Sequence, residues 1–154
     1  MTTKEVLQEC RLFGTLSDAD LGRVAEMTSE RDHEAGATIF QEGAAANELY
    51  LLQEGKVALQ MTLPAGEAIK RVTIDIVTEN QVFGWSAVVS PNVYTLTAVC
   101  LQRSRLLVID GRRLSKLMEE DTSLGYQVMQ GFIKVVASRL DDTRQVLLSE
   151  RSVT

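Results

Sequence analysis

Residues Val82–Val99 read VFGWSAVVSPNVYTLTAV. Phe83-Gly84 opens the stretch, the small and apolar run Ser86-Ala87-Val88-Val89 follows, and Ser90-Pro91-Asn92 turns the chain. It closes on Tyr94-Thr95-Leu96-Thr97-Ala98-Val99, whose alternation predicts a strand. A glycine that frees the backbone, followed by one helical turn, is one way of holding an anion with main-chain N–H groups. The same spacing also describes a β-turn with a helical corner and no ligand.

Around this stretch lie short runs broken by turn signals. Thr38-Ile39-Phe40-Gln41 follows Ala35-Gly36-Ala37, and Glu42-Gly43 turns the chain. Glu48 to Gln53 predicts a strand, Glu54-Gly55 a tight turn, and Lys56 to Met61 its hairpin partner. Leu63-Pro64-Ala65-Gly66-Glu67 predicts another turn. Ala68 to Val77 alternates, with Val72, Ile74 and Ile76 as the expected buried face and Ile69, Arg71, Thr73 and Asp75 opposite. Short strands about every 8–12 residues predict a sandwich or small barrel. Helices before and after the strands, rather than between them, argue against a βαβ arrangement.

Thr2 or Thr3 is placed to cap a first helix, Lys4 to Arg11. Ser17 caps a second, with Leu21, Val24, Ala25 and Met27 on its apolar side and Leu16 as an outside staple. After Asp110-Gly111-Arg112-Arg113 a third helix carries Leu114, Leu117 and Met118. Asp121 or Thr122 then caps a long helix to about Ser149, roughly 40 Å at about 1.5 Å per residue. Met129, Ile133, Val136, Leu140, Thr143 and Leu147 recur at spacings 4-3-4-3-4, and Val128, Phe132 and Val135 lie beside them. This is either one wide stripe on a core helix or one face for the domain and a second for a partner. The expected organisation is one domain: N-terminal helices over 1–30, the β region over 31–110 and C-terminal helices over 111–154.

Composition narrows the function. The chain has 154 residues, a net charge of −5 and no basic cluster, which argues against a nucleic-acid footprint. Cys10 and Cys100 are far apart and form no CxxC pair. With no secretory signal, a reduced cytoplasmic protein is expected. The apolar runs are too short to span a membrane. His33 is the single histidine; beside Asp32 and Glu34 it does not make a metal cluster, and no cofactor is predicted. No Ser-His-Asp set, HExxH or P-loop is present, so an enzyme is not expected. The cysteines read as buried, inert thiols and Glu119-Glu120-Asp121 as a solvated helix end.

The Val82–Val99 stretch resembles the phosphate-binding cassette of the cyclic-nucleotide-binding domain, the effector domain of Crp/Fnr regulators. Phe83 and Gly84 match that pattern, and Thr95 aligns with its Ser/Thr/Ala. Trp85 stands where the pattern has Glu, and Tyr94 where it has Arg. Glu42-Gly43, Leu49-Tyr50-Leu51-Leu52 and Glu54-Gly55-Lys56-Val57 resemble the family's double-stranded β-helix, so the resemblance covers roughly residues 13 to 149. It implies a jelly roll with N-terminal helices and a long C-terminal helix. Residues 137–143 look like the regulators' dimerisation helix, implying a homodimer through Met129, Ile133, Val136, Leu140 and Leu147. A helix-turn-helix follows that helix in the regulators. Here Thr154 lies five residues after Ser149, so a stand-alone effector domain or the fragment of a regulator is expected.

In the family the Glu holds the ribose 2′-hydroxyl and the Arg neutralises the cyclic phosphate. The resemblance carries Phe83, Gly84, Trp85, Ser86, Ala87, Tyr94 and Thr95 over as the candidate site, without those two groups. A hydrogen bond to a charged group contributes about 1.5–3 kcal/mol, so losing two costs on the order of 3–6 kcal/mol. That is roughly two to four decades of affinity. Cyclic AMP binding at physiological levels is therefore not expected. Three uses remain: another small molecule stacked on Trp85 and Tyr94, a pocket filled by its own side chains, or a replacement cation. Thr143 and Arg144 on the long helix are further candidate ligand contacts, with Arg144 as the candidate cation; Lys70 and Arg71 read as surface charges. The expected function is a regulatory small-molecule sensor domain. Its alternatives are a ligand-free dimeric scaffold and the effector-domain fragment of a transcription regulator, with an unknown small molecule or protein as partner.

Overall fold

The computed structural model describes residues 2–153. In chain order its elements are α1 (Thr3–Glu9), α2 (Asp18–Ala25), β1 (Thr28–His33), β2 (Thr38–Phe40), β3 (Glu48–Glu54), β4 (Val57–Ala65), β5 (Ala68–Val77) and β6 (Val82–Phe83), then a 3-10 turn (Trp85–Val88), β7 (Thr97–Cys100), β8 (Ser104–Asp110), α3 (Gly111–Glu120) and α4 (Thr122–Val153). The strands form two four-stranded antiparallel sheets, ordered β1-β8-β3-β6 and β2-β7-β4-β5. This is the mainly β jelly roll with flanking helices that the sequence predicts.

Local chemistry sets the helix starts. The Thr2 hydroxyl accepts from the Glu5 N–H while the Glu5 carboxylate accepts from the Thr2 N–H, a reciprocal cap. The Ser17 and Asp110 side chains accept from N–H groups of α2 and α3 in the same way. Asp121 caps α4, accepting from the Leu124 N–H at 3.1 Å, and also pairs with Arg23 at 2.7 Å. Leu49, Tyr50, Leu51 and Leu52 are all buried, because β3 lies between β8 and β6 and is covered on both faces. Leu124, Val128, Phe132 and Val135 bury one side of α4 in that core. Gly131 brings the helix close: a Cβ there would lie 2.6 Å from the Leu12 carbonyl oxygen.

Several sequence expectations are corrected. Glu54-Gly55 is not a hairpin turn. β3 pairs with β8 and β6 while β4 pairs with β5 and β7, so this turn is a corner between sheets. Gly55 makes it possible with φ +110° and a path 2.7 Å from the Arg103 carbonyl oxygen, measured to an added Cβ. Local alternation cannot tell a hairpin from such a corner. The turn expected at Leu63–Glu67 begins later, since β4 runs to Ala65 opposite Ala68.

The face predicted for β5 is also wrong. Ile74 and Ile76 are exposed and Val72 half-buried, whereas Val77 is buried and Asp75 turns inward. Leu59 pairs with Asp75 and Gln60 with Thr73, leaving Ile74 as a bulge that shifts the alternation by one residue. β7 flanks β4 only along Val57–Gln60, so the rest of the β4–β5 hairpin has no neighbour on that side. The strand predicted from Tyr94 starts only at Thr97. Before it, Tyr94 exchanges main-chain hydrogen bonds with Gly43 and Ala44.

Candidate functional site

Gly84 begins the site. Its φ of +77° lies in the left-handed region, and a Cβ would meet the Tyr50 ring at 3.0 Å and the Phe40 ring at 3.3 Å. The 3-10 turn Trp85–Val88 follows, with Gly84 as its N-cap and no side-chain hydrogen bond at that cap. The Asn92 side-chain amide clamps the turn, donating to the carbonyls of Ser86, Ala87 and Val89 at 3.0, 3.1 and 3.2 Å. Asn92 reads in the sequence only as a turn former.

Tyr94 is buried beneath this turn. Its ring stacks on Phe40 at 3.8 Å between centroids, and Phe40 in turn lies against Tyr50 and Phe83. Its hydroxyl donates to the Glu48 carbonyl at 2.6 Å and accepts from the Glu48 N–H at 3.3 Å. Burial raises the pKa of Tyr94, so the phenol stays neutral. Where the family pattern has a cation, this chain has a neutral ring tied to β3.

These residues line an open cavity of about 300 Å³ between the jelly roll and α4. Phe83, Gly84, Trp85, Ser86, Tyr94 and Thr95 of the predicted site line it; Ala87 is buried behind. Helix α4 contributes Val136, Arg139, Leu140 and Thr143, spaced as one stripe. Two positions assigned from the sequence to the dimer interface, Val136 and Leu140, thus also border the cavity, and Thr143, expected as a ligand contact from the long helix, lines it. Ile133 at 65% exposure, with Met129 and Leu147, remains outside it.

Arg139 is the cation at this site, and sequence reasoning missed it. Its guanidinium lies over the Trp85 ring, 5.0 Å from the centroid. Nη1 donates to Asp75 Oδ2 at 3.0 Å and Nη2 to the Val82 carbonyl at 2.7 Å. Its side chain is only 17% exposed, and burial lowers its pKa while Asp75 opposes that shift. Arg144 is exposed and does not line the cavity. Thr143 and Arg139 are four residues apart and share a face, whereas Arg144 is a further 100° or so around the helix. Lys70 and Arg71 are exposed, and both lie off the cavity.

The remaining candidates fall elsewhere. His33 pairs with Ser104 at the end of β1, its Nε2 buried without a hydrogen-bond partner. Among the described residues no group of three His, Cys, Asp or Glu is arranged to hold a metal. Cys10 and Cys100 are buried, and burial pushes the Cys10 thiol up to about 11, which disfavours the reactive thiolate. No helix among the described residues is long and apolar enough to cross a membrane.

A jelly roll with a glycine-led turn packed near a long C-terminal helix is the architecture of the cyclic-nucleotide-binding domains. The family model described as "Cyclic nucleotide-binding domain" matches residues 30–121, and the chain belongs to that family. A solved structure of a candidate cyclic nucleotide-binding protein from Geobacter metallireducens is 31% identical, with a TM-score of 0.79 over 91% of this chain and 99% of that one. The N-terminal domain of a transcriptional regulator from Streptomyces coelicolor is 26% identical, with a TM-score of 0.70 over 92% and 94%. A candidate potassium channel protein of Rhodopseudomonas palustris is 29% identical over 77% of this chain, which spans 28% of that relative's length.

Proposed function

We propose that this chain is a regulatory sensor domain that binds a small molecule other than cyclic AMP and passes its occupancy to α4. One observation carries this: the cavity is open, lined by Phe40, Trp85, Tyr94 and Thr95, and its cation is already bonded to Asp75. A pocket packed with its own side chains would have favoured a ligand-free scaffold. An aromatic-walled cavity with a few polar groups is the usual form of a small-molecule site. Trp85 offers no acceptor to a ribose hydroxyl, and Tyr94 offers no charge to a phosphate.

Val136, Arg139, Leu140 and Thr143 make α4 part of the cavity wall, so a ligand that contacts them biases the position of that helix. The exposed apolar residues Met129, Ile133 and Leu147 support self-association along α4 as the output. Sedimentation velocity of the purified chain tests that part, with a dimer as the expected species. The names of the relatives, a channel protein and a transcriptional regulator, support a sensing role within a larger regulated system.

Thermal unfolding with and without about 1 mM cyclic AMP or cyclic GMP tests the central statement. A ligand at about 100 times its Kd stabilises by about 2.7 kcal/mol, several degrees for a chain this size. No rise is expected for either nucleotide. A clear rise with cyclic AMP would show that the replaced Glu and Arg positions are dispensable.

A further inference from the structure

Among the described residues lining the cavity, the charged side chains are Asp75 and Arg139, bonded to each other at 3.0 Å. Both oxygens of Asp75 are engaged: Oδ1 accepts from the Ile76 N–H at 2.9 Å while Oδ2 accepts from Arg139. The carboxylate is therefore oriented by its own strand beside the Ile74 bulge, and both residues line the cavity. Arg139 is held from three directions, by Asp75, the Val82 carbonyl and the Trp85 ring.

We propose that Asp75 determines the specificity of this cavity: by holding Arg139 it closes the site to anions, so that the ligand is a neutral, planar aromatic molecule. The proposal rests on the cavity being a small-molecule site. The Asp75 side chain is 42% exposed and paired with Arg139, so an entering anion can take a bond from the bonded nitrogen of Arg139 only by displacing that carboxylate. The pair carries no net charge, so it offers an anion little attraction in place of the hydration the anion would lose. A neutral ring meets no such penalty. It lies against Phe40, Trp85 and Tyr94 and can place a hydroxyl, amide or carbonyl against the Ser86 or Thr95 hydroxyl.

The test uses two matched fluorescent probes, neutral N-phenyl-1-naphthylamine and its anionic counterpart 8-anilinonaphthalene-1-sulfonate. Each is titrated into the full chain, its Asp75→Asn variant, and Asp75→Asn combined with Arg139→Met. Mutual competition and quenching of Trp85, the single tryptophan, show that both probes occupy this cavity. The wild type is expected to bind the neutral probe, with the sulfonate far weaker. Asp75→Asn is expected to raise sulfonate affinity relative to the neutral probe by about tenfold, after allowing for partial solvent screening. The added Arg139→Met removes that gain. Arg139→Met alone, which needs no folded Asp75 variant, is expected to lower sulfonate affinity further. Binding of the neutral probe with an unchanged ratio in Asp75→Asn overturns the role of Asp75 and leaves the cavity as a ligand site. Failure of the neutral probe to bind any variant overturns the small-molecule reading itself, and this proposal with it.

Discussion

The guanidinium carbon of Arg139 lies 5.0 Å from the centre of the Trp85 ring. One residue comes from the long C-terminal helix and the other from the turn that starts the ligand site. Their contact joins the two parts of the domain that a ligand would have to couple. It also gives the chain's single tryptophan a charged neighbour that reports on α4.

Replacing Arg139 with Ala removes this contact, the ion pair to Asp75 and the donor to the Val82 carbonyl. The cation–π contact contributes about 0.5–2 kcal/mol. The unpaired carbonyl adds a cost of about 1 kcal/mol. A loss of about 1–3 kcal/mol is expected, read as a Tm lower by roughly 2–4 °C per kcal/mol, together with altered Trp85 emission. Arg144→Ala, on the exposed side of α4, is the control and should change stability by less than about 0.5 kcal/mol. Equal effects of the two substitutions would show that Arg139 does not tie α4 to the cavity.

Tyr94→Phe separates the ring from the hydroxyl. The stack on Phe40 persists, but the Glu48 carbonyl loses a donor at 2.6 Å inside the core. A destabilisation of about 1–3 kcal/mol is expected in urea unfolding, with an unchanged m-value. A neutral result would mean that Glu48 finds water or another partner.

Gly131 and Gly22 are expected to respond in opposite directions to Ala. A Cβ on Gly131 would press against the backbone of Leu12, with its carbonyl oxygen at 2.6 Å and its Cα at 2.9 Å. Overpacking of this kind costs about 1–3 kcal/mol. Gly22 is inside α2, and nothing lies within 4 Å of an added Cβ. Gly22→Ala should stabilise by about 0.5–1 kcal/mol through helix propensity. Differential scanning calorimetry of the two variants measures both signs.

Asp121 supplies an acid-sensitive contribution to stability. The hydrogen bond from Arg23, then that from the Leu124 N–H, hold its carboxyl below the ordinary value of 3.8. A depressed carboxyl stabilises the fold fully above its unfolded pKa, and that contribution is lost as the pH falls through the folded pKa. Asp121→Asn keeps a capping oxygen and removes the charge. The wild type should be the more stable at pH 7, with the gap constant down to about pH 4–5 and shrinking below it. Denaturant melts at pH 7, 5, 4 and 3 would show this; a gap that does not shrink between pH 5 and pH 3 would rule out the charge as its source.

Much of this protein is determined by short-range sequence chemistry. Ser17, Asp110 and Asp121 cap their helices because a side-chain oxygen needs only the next few N–H groups. Val128, Phe132 and Val135 lie on the buried side of α4 because helical spacing puts them on one face. Phe83-Gly84 and the runs around Gly43 and Gly55 mark the jelly roll because its corners need particular backbone conformations at particular spacings. The charge of the cavity is of another kind. Asp75 faces inward because one bulged residue, Ile74, shifts the alternation of β5. Arg139 reaches the pocket because it shares one face of α4 with Val136, Leu140 and Thr143, which line it, and Arg144 lies on another side of the helix. Gly55 turns a corner between sheets because β3 pairs with β8, about fifty residues later in the chain, and not with β4. These outcomes depend on contacts between segments far apart in the chain, and only the folded arrangement decides them.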